Sequence, residues 1–215
     1  MIKFFGLAFI FYTVFFNSSC KNANTEQLPV YNNADFTPLW LSKSQLQNDT
    51  LHKIASFIFL NQNGNKITNA DFAGKIQVAN FFFSSCPSIC PKMMGNLQKV
   101  QSVFKNDSTV QLVSFSVMPW VDTVKKLKLY AENFDIQTNK WNLLTGDAGK
   151  IYDLARKSYF AEEAIGFTRD SSEFLHTEHV LLVDGNQHLR GIYNGTLPLE
   201  IERLIDDIRI LKKNH

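Results

Sequence analysis

One stretch of this chain restricts its fold more than any other, namely an apolar run that leads directly into two closely spaced cysteines. The run is IQVANFFF, residues 76–83, in which only Gln77 and Asn80 are polar. A continuous apolar run of this length is typical of a strand that is buried on both faces of a sheet. The sequence then reads SSCPSICP, with Cys86 and Cys90 four positions apart and a proline after each. We therefore predict a buried strand that ends in a cysteine loop.

The residues that follow predict a helix whose first turn contains Cys90. Met93 and Met94 begin an apolar pattern of helical spacing that extends to Phe104. Pro91 suits the first turn, because the N–H that proline lacks has no partner there in any case. Residues four apart on a helix share a face, so both sulfurs can converge on one point. The positive end of the helix dipole would favour their thiolate forms.

Strands and helices alternate along the rest of the chain. Predicted strands include VQLVSFSV at 110–117, WNLLTG at 141–146 and a hairpin, HVLLVD and LRGIYNG, that turns at Gly185 and Asn186. Asp122 is the expected N-cap of the helix DTVKKLKLYAENF, and Pro198 opens a last helix that reaches about Lys212. This order predicts an α/β fold with a central mixed sheet flanked by helices and a β-hairpin in the C-terminal half. A strand that runs into a cysteine pair at a helix start is the architecture of thioredoxin-like proteins.

The N-terminal residues are typical of an export signal. Lys3 precedes an uncharged, largely apolar run over residues 4–16, which is shorter than the roughly 20 residues that a membrane-spanning helix needs. Two serines before Cys20 resemble a bacterial lipoprotein cleavage site, after which Cys20 would carry lipid. Asn17 stands where such sites usually have an aliphatic residue, so plain secretion and an uncleaved anchor are the alternatives.

These features predict three regions and one location. Residues 1–19 are a signal peptide of the lipoprotein type, residues 20–45 a polar tether with scattered proline and asparagine, and residues 46–215 one folded domain. The domain is expected to face the periplasm, held to a bacterial membrane by its N-terminal lipid.

Composition excludes two classes of partner. The formal net charge of +2 is too small to indicate a nucleic-acid partner. The sequence contains no glycine-rich phosphate loop, so it offers no support for nucleotide binding.

The cysteine count favours a chemical role for the pair over a structural one. The chain has 3 cysteines, and lipid on Cys20 would leave Cys86 and Cys90 as the thiols of the mature domain. A disulfide between them would close a very short loop and remove little entropy from the unfolded chain. Thioredoxin-type oxidoreductases have two residues between their cysteines, and this chain has three. The pair can therefore oxidise to a disulfide or bind a soft metal, either copper or, with a fourth ligand, zinc.

A third metal ligand would come from one of 5 histidines. His52 and His215 are expected to be solvated, and His188 lies beside the hairpin turn. His176 and His179 stand in EFLHTEHVLLVD, just before an apolar strand, where a loop could carry one of them over the cysteines. Spacing alone does not decide between them.

The motifs together resemble the Sco/SenC family. NFFFSSCPSICPKM, SFSVMPWVDTVKKLKLYAENF, WNLLTGD and FLHTEHVLLVDGNQ occur in that family's order and spacing, over roughly residues 50–212. The resemblance implies a membrane-tethered, thioredoxin-like protein that delivers copper, as Cu(I) or Cu(II), to the CuA centre of cytochrome c oxidase. By position it implies that Cys86, Cys90 and His176 are the copper ligands.

Three further residues are candidates for places around the copper ligands, namely Asp122, Met118 and His179, and the last of them is a possible alternative ligand. Asp122 matches the second acid of the family's DPxxD segment, whereas Met118 replaces the first. A thioether at Met118 could favour Cu(I), or the side chain could pack in the interior. His179 takes a position that the family usually fills with an apolar or aromatic residue.

Several functions are weighed against each other. The first is a copper chaperone whose recipient is the CuA-bearing subunit of cytochrome c oxidase or another copper enzyme. The alternative is an extracytoplasmic thiol–disulfide oxidoreductase that uses Cys86 and Cys90 as its redox pair and has no need of His176. A structural zinc site would require a fourth ligand, for which Asp122 or His179 is available. A thiol peroxidase on the same fold is disfavoured, because its Pro-x-x-x-Thr-x-x-Cys pattern is absent before Cys86.

Overall fold

The computed structural model describes residues 27–161 and 177–214, which form nine strands and four α-helices. The strands are β1 (Val30–Tyr31), β2 (Pro38–Leu39), β3 (Ile58–Asn61), β4 (Lys66–Thr68), β5 (Ile76–Phe82), β6 (Val110–Ser116), β7 (Trp141–Thr145), β8 (His179–Val183) and β9 (Leu189–Asn194). The helices are α1 (Ile89–Val103), α2 (Val124–Asn133), α3 (Ala148–Lys157) and α4 (Pro198–Asn214). The predictions for the leader, Cys20, His176 and His215 lie outside the described residues.

The central sheet contains seven of the described strands in the order β4-β3-β7-β6-β5-β8-β9. Strands β5, β6 and β7 are parallel to one another, whereas β3 pairs with β7, and β8 with β5, in antiparallel fashion. Strands β8 and β9 form the hairpin in the C-terminal half. The mixed sheet with helices on its faces confirms the predicted fold class.

Strand β5 lies at the centre of two cores. All 7 of its residues are buried. Val78 and Phe82 face a core that α1, α2 and α4 cover, whereas Ala79 and Phe81 face a core on the side of α3. Successive side chains of a strand point to opposite faces, so a strand covered on both faces needs an apolar residue at nearly every position. This explains the continuous apolar run in the sequence.

The register of the sheet brings three connections to one edge. Since β5 and β6 are parallel, the loops that follow Phe82 and Ser116 leave the sheet at the same edge. Strand β8 runs antiparallel to β5 and pairs Val180 with Asn80, so the residues just before β8 lie at that edge as well. The candidate site is built where these connections meet.

The N-cap of α2 is Thr123, and the prediction of Asp122 as the cap is wrong. The Thr123 side chain accepts a hydrogen bond from the amide of Lys126, 3.3 Å away. Asp122 is fully buried and turns towards the loop that follows β5. A threonine beside an aspartate can cap equally well, and the tertiary contacts of the aspartate decide between them.

The segment before the domain packs on its surface from Leu28 onward. Strands β1 and β2 pair with each other, and Val30 is fully buried. The Arg190 side chain, on β9, donates hydrogen bonds of 2.8 Å and 2.6 Å to the carbonyls of Pro29 and Leu28. The C-terminal part of the predicted tether therefore has a defined path along the sheet. Across residues 27–161 and 177–214 there is no helix whose length and hydrophobicity would suit a bilayer span.

Candidate functional site

The two cysteines lie at the junction of β5 and α1. Cys86 belongs to the loop after β5, and its amide donates a hydrogen bond of 3.2 Å to the carbonyl of Phe83. Cys90 is the second residue of α1, and its amide donates to the sulfur of Cys86 over 3.5 Å. Both thiols are reduced and buried, with 7% of Cys86 and 3% of Cys90 exposed. The structure thus places Cys86 after the strand and Cys90 in the first turn of the helix, as predicted.

Hydrogen bonding makes Cys86 the more acidic thiol. Burial by itself would raise the pKa of Cys86. The backbone of Cys90, Ser88 and Ile89 and the thiol of Cys90 hydrogen-bond to the Cys86 sulfur, and together they lower its pKa below the ordinary value. The amides come from the first turn of α1, where backbone N–H groups have no partner within the helix. The Cys86 thiolate is therefore stabilised by the helix that follows it.

The pKa of Cys90 is shifted in the opposite direction. The pKa of Cys90 is raised to about 12, chiefly by burial and also by the charges of Cys86 and Asp122, while a backbone hydrogen bond from Phe83 opposes the rise. Cys86 is therefore the sulfur that ionises at the lower pH, and Cys90 keeps its proton at neutral pH. Thiolate is the reactive form of cysteine, so Cys86 is the more nucleophilic thiol of the two.

A buried carboxylate joins the cysteine loop to the loop after β6. Asp122 accepts hydrogen bonds from the amide of Ser84, 3.0 Å away, and from the hydroxyls of Ser84 and Ser116, the latter at 2.6 Å. The ammonium group of Lys126 lies 3.8 Å from the same carboxylate. These contacts fix the residues just before Cys86, so Asp122 holds the loop that carries the pair.

Met118 occupies the loop between Ser116 and Asp122. Its amide donates to the hydroxyl of Ser116 at 3.2 Å, and its carbonyl accepts from the amide of Asp122 at 2.8 Å. The residue is partly buried. Met118 thus shapes the loop that presents Asp122.

His179 does not join the cysteines. It is the first residue of β8, and its ring meets the ring of Phe36 edge to face with centroids 6.2 Å apart. Phe36 packs against the core on the α3 side, whereas the neighbouring Val180 belongs to the core that contains both cysteines. Alternation along the strand therefore directs His179 to the face opposite the pair.

Two other histidines also lie away from the pair. His52 was expected to be solvated, but its Nε2 lies 2.8 Å from the carbonyl of Ser158 and its ring packs on Phe160. His188 is buried beside the hairpin turn, with Nδ1 at 3.5 Å from the carboxylate of Asp184. Neither position can serve the cysteine site.

The ligand role of His176 stays a prediction. The described chain resumes at Thr177, which leads into β8 at the edge of the sheet where the cysteines lie. Within the part of the chain that the structure describes, no group of three or more His, Cys, Asp or Glu side chains has the arrangement of a metal site. Cys86 and Cys90 are the two predicted ligands that the structure describes, and a three-ligand set would need one more donor.

Tyr130 is a further residue beside the cysteines, and the sequence does not distinguish it from its neighbours in the helix DTVKKLKLYAENF. The ring lies in α2 and packs against the core that contains both cysteines. Burial raises the pKa of Tyr130, and the charges of Cys90, Asp122 and Cys86 raise it further. The only signal in the sequence was a hydroxyl on the inner face of an amphipathic helix, which is also what an ordinary core tyrosine presents.

The arrangement supports two kinds of chemistry. Two thiolates that converge at a helix start are soft ligands that suit Cu(I) and other thiophilic ions. The same sulfurs can form a disulfide, because the Cys86 thiol ionises more readily than that of Cys90 and the two lie beside each other. The donor set therefore fits copper as a cargo and also fits thiol–disulfide exchange.

Comparison with known proteins identifies the family of this chain. A family model described as SCO1/SenC matches residues 45–213. A SCO1/SenC family lipoprotein from Bacillus anthracis strain Ames is 31% identical, with 75% of this chain and 95% of that chain covered and a TM-score of 0.65. A structure of BsSco, described as a member of the Sco family of cytochrome c oxidase assembly proteins with a disulfide switch, is 27% identical, covers 74% and 93%, and has a TM-score of 0.61.

A third solved structure is ScoI from Bradyrhizobium japonicum with copper bound. It is 25% identical, with 72% of this chain and 98% of that chain covered and a TM-score of 0.58. These similarities extend over nearly all of the described domain, and they confirm the predicted thioredoxin-like fold.

Proposed function

Because this chain belongs to the SCO1/SenC family, we propose that it is a copper chaperone that takes part in cytochrome c oxidase assembly, with the CuA-bearing subunit or another copper enzyme as recipient. The observation that carries the proposal is the reduced cysteine pair at the start of α1, in which both residues belong to the same core. Relatives that have copper bound, or that are described as oxidase assembly proteins, support it.

We propose Cys86, Cys90 and His176 as the ligands. Thiolates provide affinity for Cu(I), and an imidazole is a ligand for either oxidation state. Cys86 ionises more readily than Cys90, and Cys90 must lose a proton as the metal binds, so copper uptake releases protons. Copper affinity should therefore rise with pH until both sulfurs are deprotonated.

The position of the loop supports release of the ion to a partner. Ser85, Pro87 and Ser88 are exposed although the sulfurs between and beside them are buried. An incoming thiol or imidazole from the recipient can approach from this side and replace the ligands one at a time. Ligand exchange of this kind needs a site that is open at one face.

Thiol–disulfide exchange is the second candidate, and the unequal pKa values of the two thiols favour it. The Cys86 thiolate would attack one sulfur of a target disulfide and form a mixed disulfide, while the other target sulfur leaves as a thiolate. Cys90 would then lose its proton and attack the Cys86 sulfur. That step closes the Cys86–Cys90 disulfide and releases the second target thiol, so two electrons pass to the target.

We also propose that the protein is anchored to a bacterial membrane through lipid on Cys20, with the domain in the periplasm. The organisation is then a signal peptide over residues 1–19, a tether over 20–45 and the domain over 46–215. The relative from Bacillus anthracis that is described as a lipoprotein supports this arrangement.

Copper binding by the reduced full chain tests the proposal. We expect one copper per chain and a thiolate-to-Cu(II) absorption band that is lost in a Cys86→Ser/Cys90→Ser variant and weakened in His176→Ala. His52→Ala, which alters a histidine bound to Ser158 instead, is the matched control and should keep the band.

A chain that binds copper no better than the double serine variant would contradict the chaperone proposal. If that chain still reduced a protein disulfide, the oxidoreductase would take its place. A band that survives in His176→Ala would instead remove His176 from the ligand set while leaving copper binding intact.

A further inference from the structure

The Tyr130 hydroxyl is an unusual feature of the core beside the cysteines. Its oxygen is sealed from solvent and has no hydrogen-bond partner among the residues that the structure describes. Buried hydroxyls are almost always hydrogen-bonded, because an unpaired one loses its bonds to water without replacement. An exception beside a reactive site points to a partner that is present only in another state of that site.

Aromatic packing holds the hydroxyl where it is. The Tyr130 ring stacks on Phe134 with centroids 4.6 Å apart and meets Phe82 at 5.5 Å. Phe82 is the last residue of β5, directly before the cysteine loop. The ring therefore cannot turn its hydroxyl to solvent without leaving both neighbours.

The surroundings leave few acceptors for the hydroxyl. Tyr130 packs against the core that includes Cys86 and Cys90, and the charges that act on it belong to Cys90, Asp122 and Cys86. The Asp122 carboxylate already accepts three hydrogen bonds from Ser84 and Ser116 and faces the ammonium group of Lys126. A carboxylate has about four acceptor positions, so little capacity remains.

Of the two sulfurs, that of Cys90 has fewer hydrogen-bond donors. The Cys86 sulfur is hydrogen-bonded by three backbone groups and by the Cys90 thiol, whereas the Cys90 sulfur has backbone hydrogen bonding from Phe83. Cys90 is also the more buried of the pair. A negative charge on Cys90 therefore needs an additional donor more than one on Cys86 does.

We propose that the Tyr130 hydroxyl is the hydrogen-bond donor to the Cys90 sulfur when that sulfur is a metal-bound thiolate. A neutral thiol is a weak acceptor, which fits a hydroxyl without a partner in the reduced, metal-free protein. A thiolate accepts a much stronger, charge-assisted hydrogen bond. The donor thus stabilises the loaded site more than the empty one, as outer-sphere hydrogen bonds to metal ligands do.

This inference rests on the proposed function only in taking copper as the bound ion. Its test therefore uses two ions, Cu(I) and Cd²⁺. The affinities of the reduced full chain for Cu(I) and for Cd²⁺ are measured by competition with chromophoric chelators. Cd²⁺ binds thiolate pairs whether or not copper is the natural cargo, and its thiolate absorption reports on the sulfurs directly. Tyr130→Phe should weaken both affinities about ten-fold or more, because a hydrogen bond to a charged group is lost.

Tyr152→Phe is the matched control. Tyr152 lies in α3, in the core on the other face, and its hydroxyl donates a hydrogen bond of 2.7 Å to the carbonyl of Val117. Removing that hydroxyl should leave the affinities for both ions within two-fold of the original. It should lower the melting temperature of the metal-free protein, whereas Tyr130→Phe should not, because the Tyr130 hydroxyl has no bond to lose there.

Equal Cd²⁺ and Cu(I) affinities in Tyr130→Phe and the original chain would overturn the inference. A lowered melting temperature of the reduced, metal-free Tyr130→Phe protein would also overturn it, because the hydroxyl would then have a structural partner. A chain that does not bind Cu(I), yet loses ten-fold in Cd²⁺ affinity on Tyr130→Phe, would reject the copper proposal and support the role of Tyr130.

Discussion

The backbone amide of Ser84 donates a hydrogen bond of 3.0 Å to the carboxylate of Asp122. The two residues are 38 positions apart, and the contact joins the loop before Cys86 to the loop before α2. A fully buried carboxylate is stable only when its charge is compensated by donors. The cysteine loop therefore depends on a residue from another part of the chain for its conformation.

Replacing this carboxylate should cost stability. Asp122→Asn removes the charge and puts an NH₂ group where an oxygen accepted hydrogen bonds from Ser84 and Ser116. Lost hydrogen bonds to a charged group lead us to expect a fall of about 2–3 kcal/mol in the free energy of unfolding. Chemical denaturation of the reduced protein measures it.

Asp153→Asn is the control for that change. Asp153 is exposed and pairs with Lys157 on the surface of α3, at a separation of 2.7 Å. Surface ion pairs contribute about 0–1 kcal/mol, so the control should unfold almost as the original does. Equal stabilities for the two variants would show that the Asp122 network does not stabilise the fold.

The two cysteines should differ in reactivity. Hydrogen bonds lower the pKa of Cys86, whereas burial raises that of Cys90 to about 12. We expect iodoacetamide near pH 7.5 to alkylate Cys86 first and to leave Cys90 largely unmodified. Mass spectrometry of peptides from briefly treated, reduced protein identifies the modified residue. Preferential labelling of Cys90 would reverse the assignment of the nucleophile.

Acid should destabilise the protein through Asp107. Burial would raise the pKa of this carboxyl, but hydrogen bonds from Lys212 and Thr109 outweigh it and lower the pKa to about 2. A carboxyl whose pKa is lower in the folded than in the unfolded state stabilises the fold above its ordinary pKa. That stabilisation is lost as the pH falls through its folded value.

The melting temperature measured from pH 5 to pH 2 tests this expectation. In the original chain it should fall between about pH 4 and pH 2, and Asp107→Asn should show a shallower fall in the same window. Asp35→Asn changes a carboxylate on the surface near β2 and should leave the slope as it is. Identical slopes for Asp107→Asn and the original chain would contradict the prediction.

Close packing at Gly195 should make a side chain intolerable there. A Cβ atom at this position would lie 2.6 Å from Cγ2 of Val180 and 2.7 Å from Cγ of Met93. Gly195→Ala would therefore push β8 and α1 apart beneath the cysteine pair, and overpacking typically costs about 1–3 kcal/mol. Denaturant titration of the reduced protein measures the loss.

Gly95→Ala provides the matched control within α1. A Cβ atom at Gly95 would meet no atom within 4 Å. Alanine is the better helix former, so this variant should be at least as stable as the original chain, by up to about 1 kcal/mol. If Gly195→Ala were as stable as Gly95→Ala, the packing of α1 against Gly195 would be looser than in the structure.

Local patterns in the sequence were enough for the main elements. The apolar run at 76–83 predicted β5, because a strand covered by helices on both faces excludes polar residues from nearly every position. The turn at Gly185 and Asn186 was also predictable, and the Gln187 amide closes it with a 2.9 Å bond to the Asp184 carbonyl. Such features depend on residues that are neighbours in the chain.

The sequence predicted the surroundings of the cysteines only in part. Their place at the start of α1 came from spacing, whereas the networks around them depend on residues far away in sequence. In the sequence alone, Ser84 and Ser116 are ordinary serines near the ends of strands, and Tyr130 is one more residue of a helix. Nothing local distinguishes a serine that binds a buried carboxylate from one that faces water.

The sequence by itself determined the order of the main strands and helices, the cysteine pair at a helix start and the family. Periodicity and spacing carry that information over short distances. Only the tertiary structure decided that Asp122 points inward instead of capping α2, that His179 faces away from the cysteines, and that the Tyr130 hydroxyl is sealed beside them. Those outcomes depend on which faces the sheet and helices bury against each other, because packing between distant segments sets the partners, burial and pKa of each side chain.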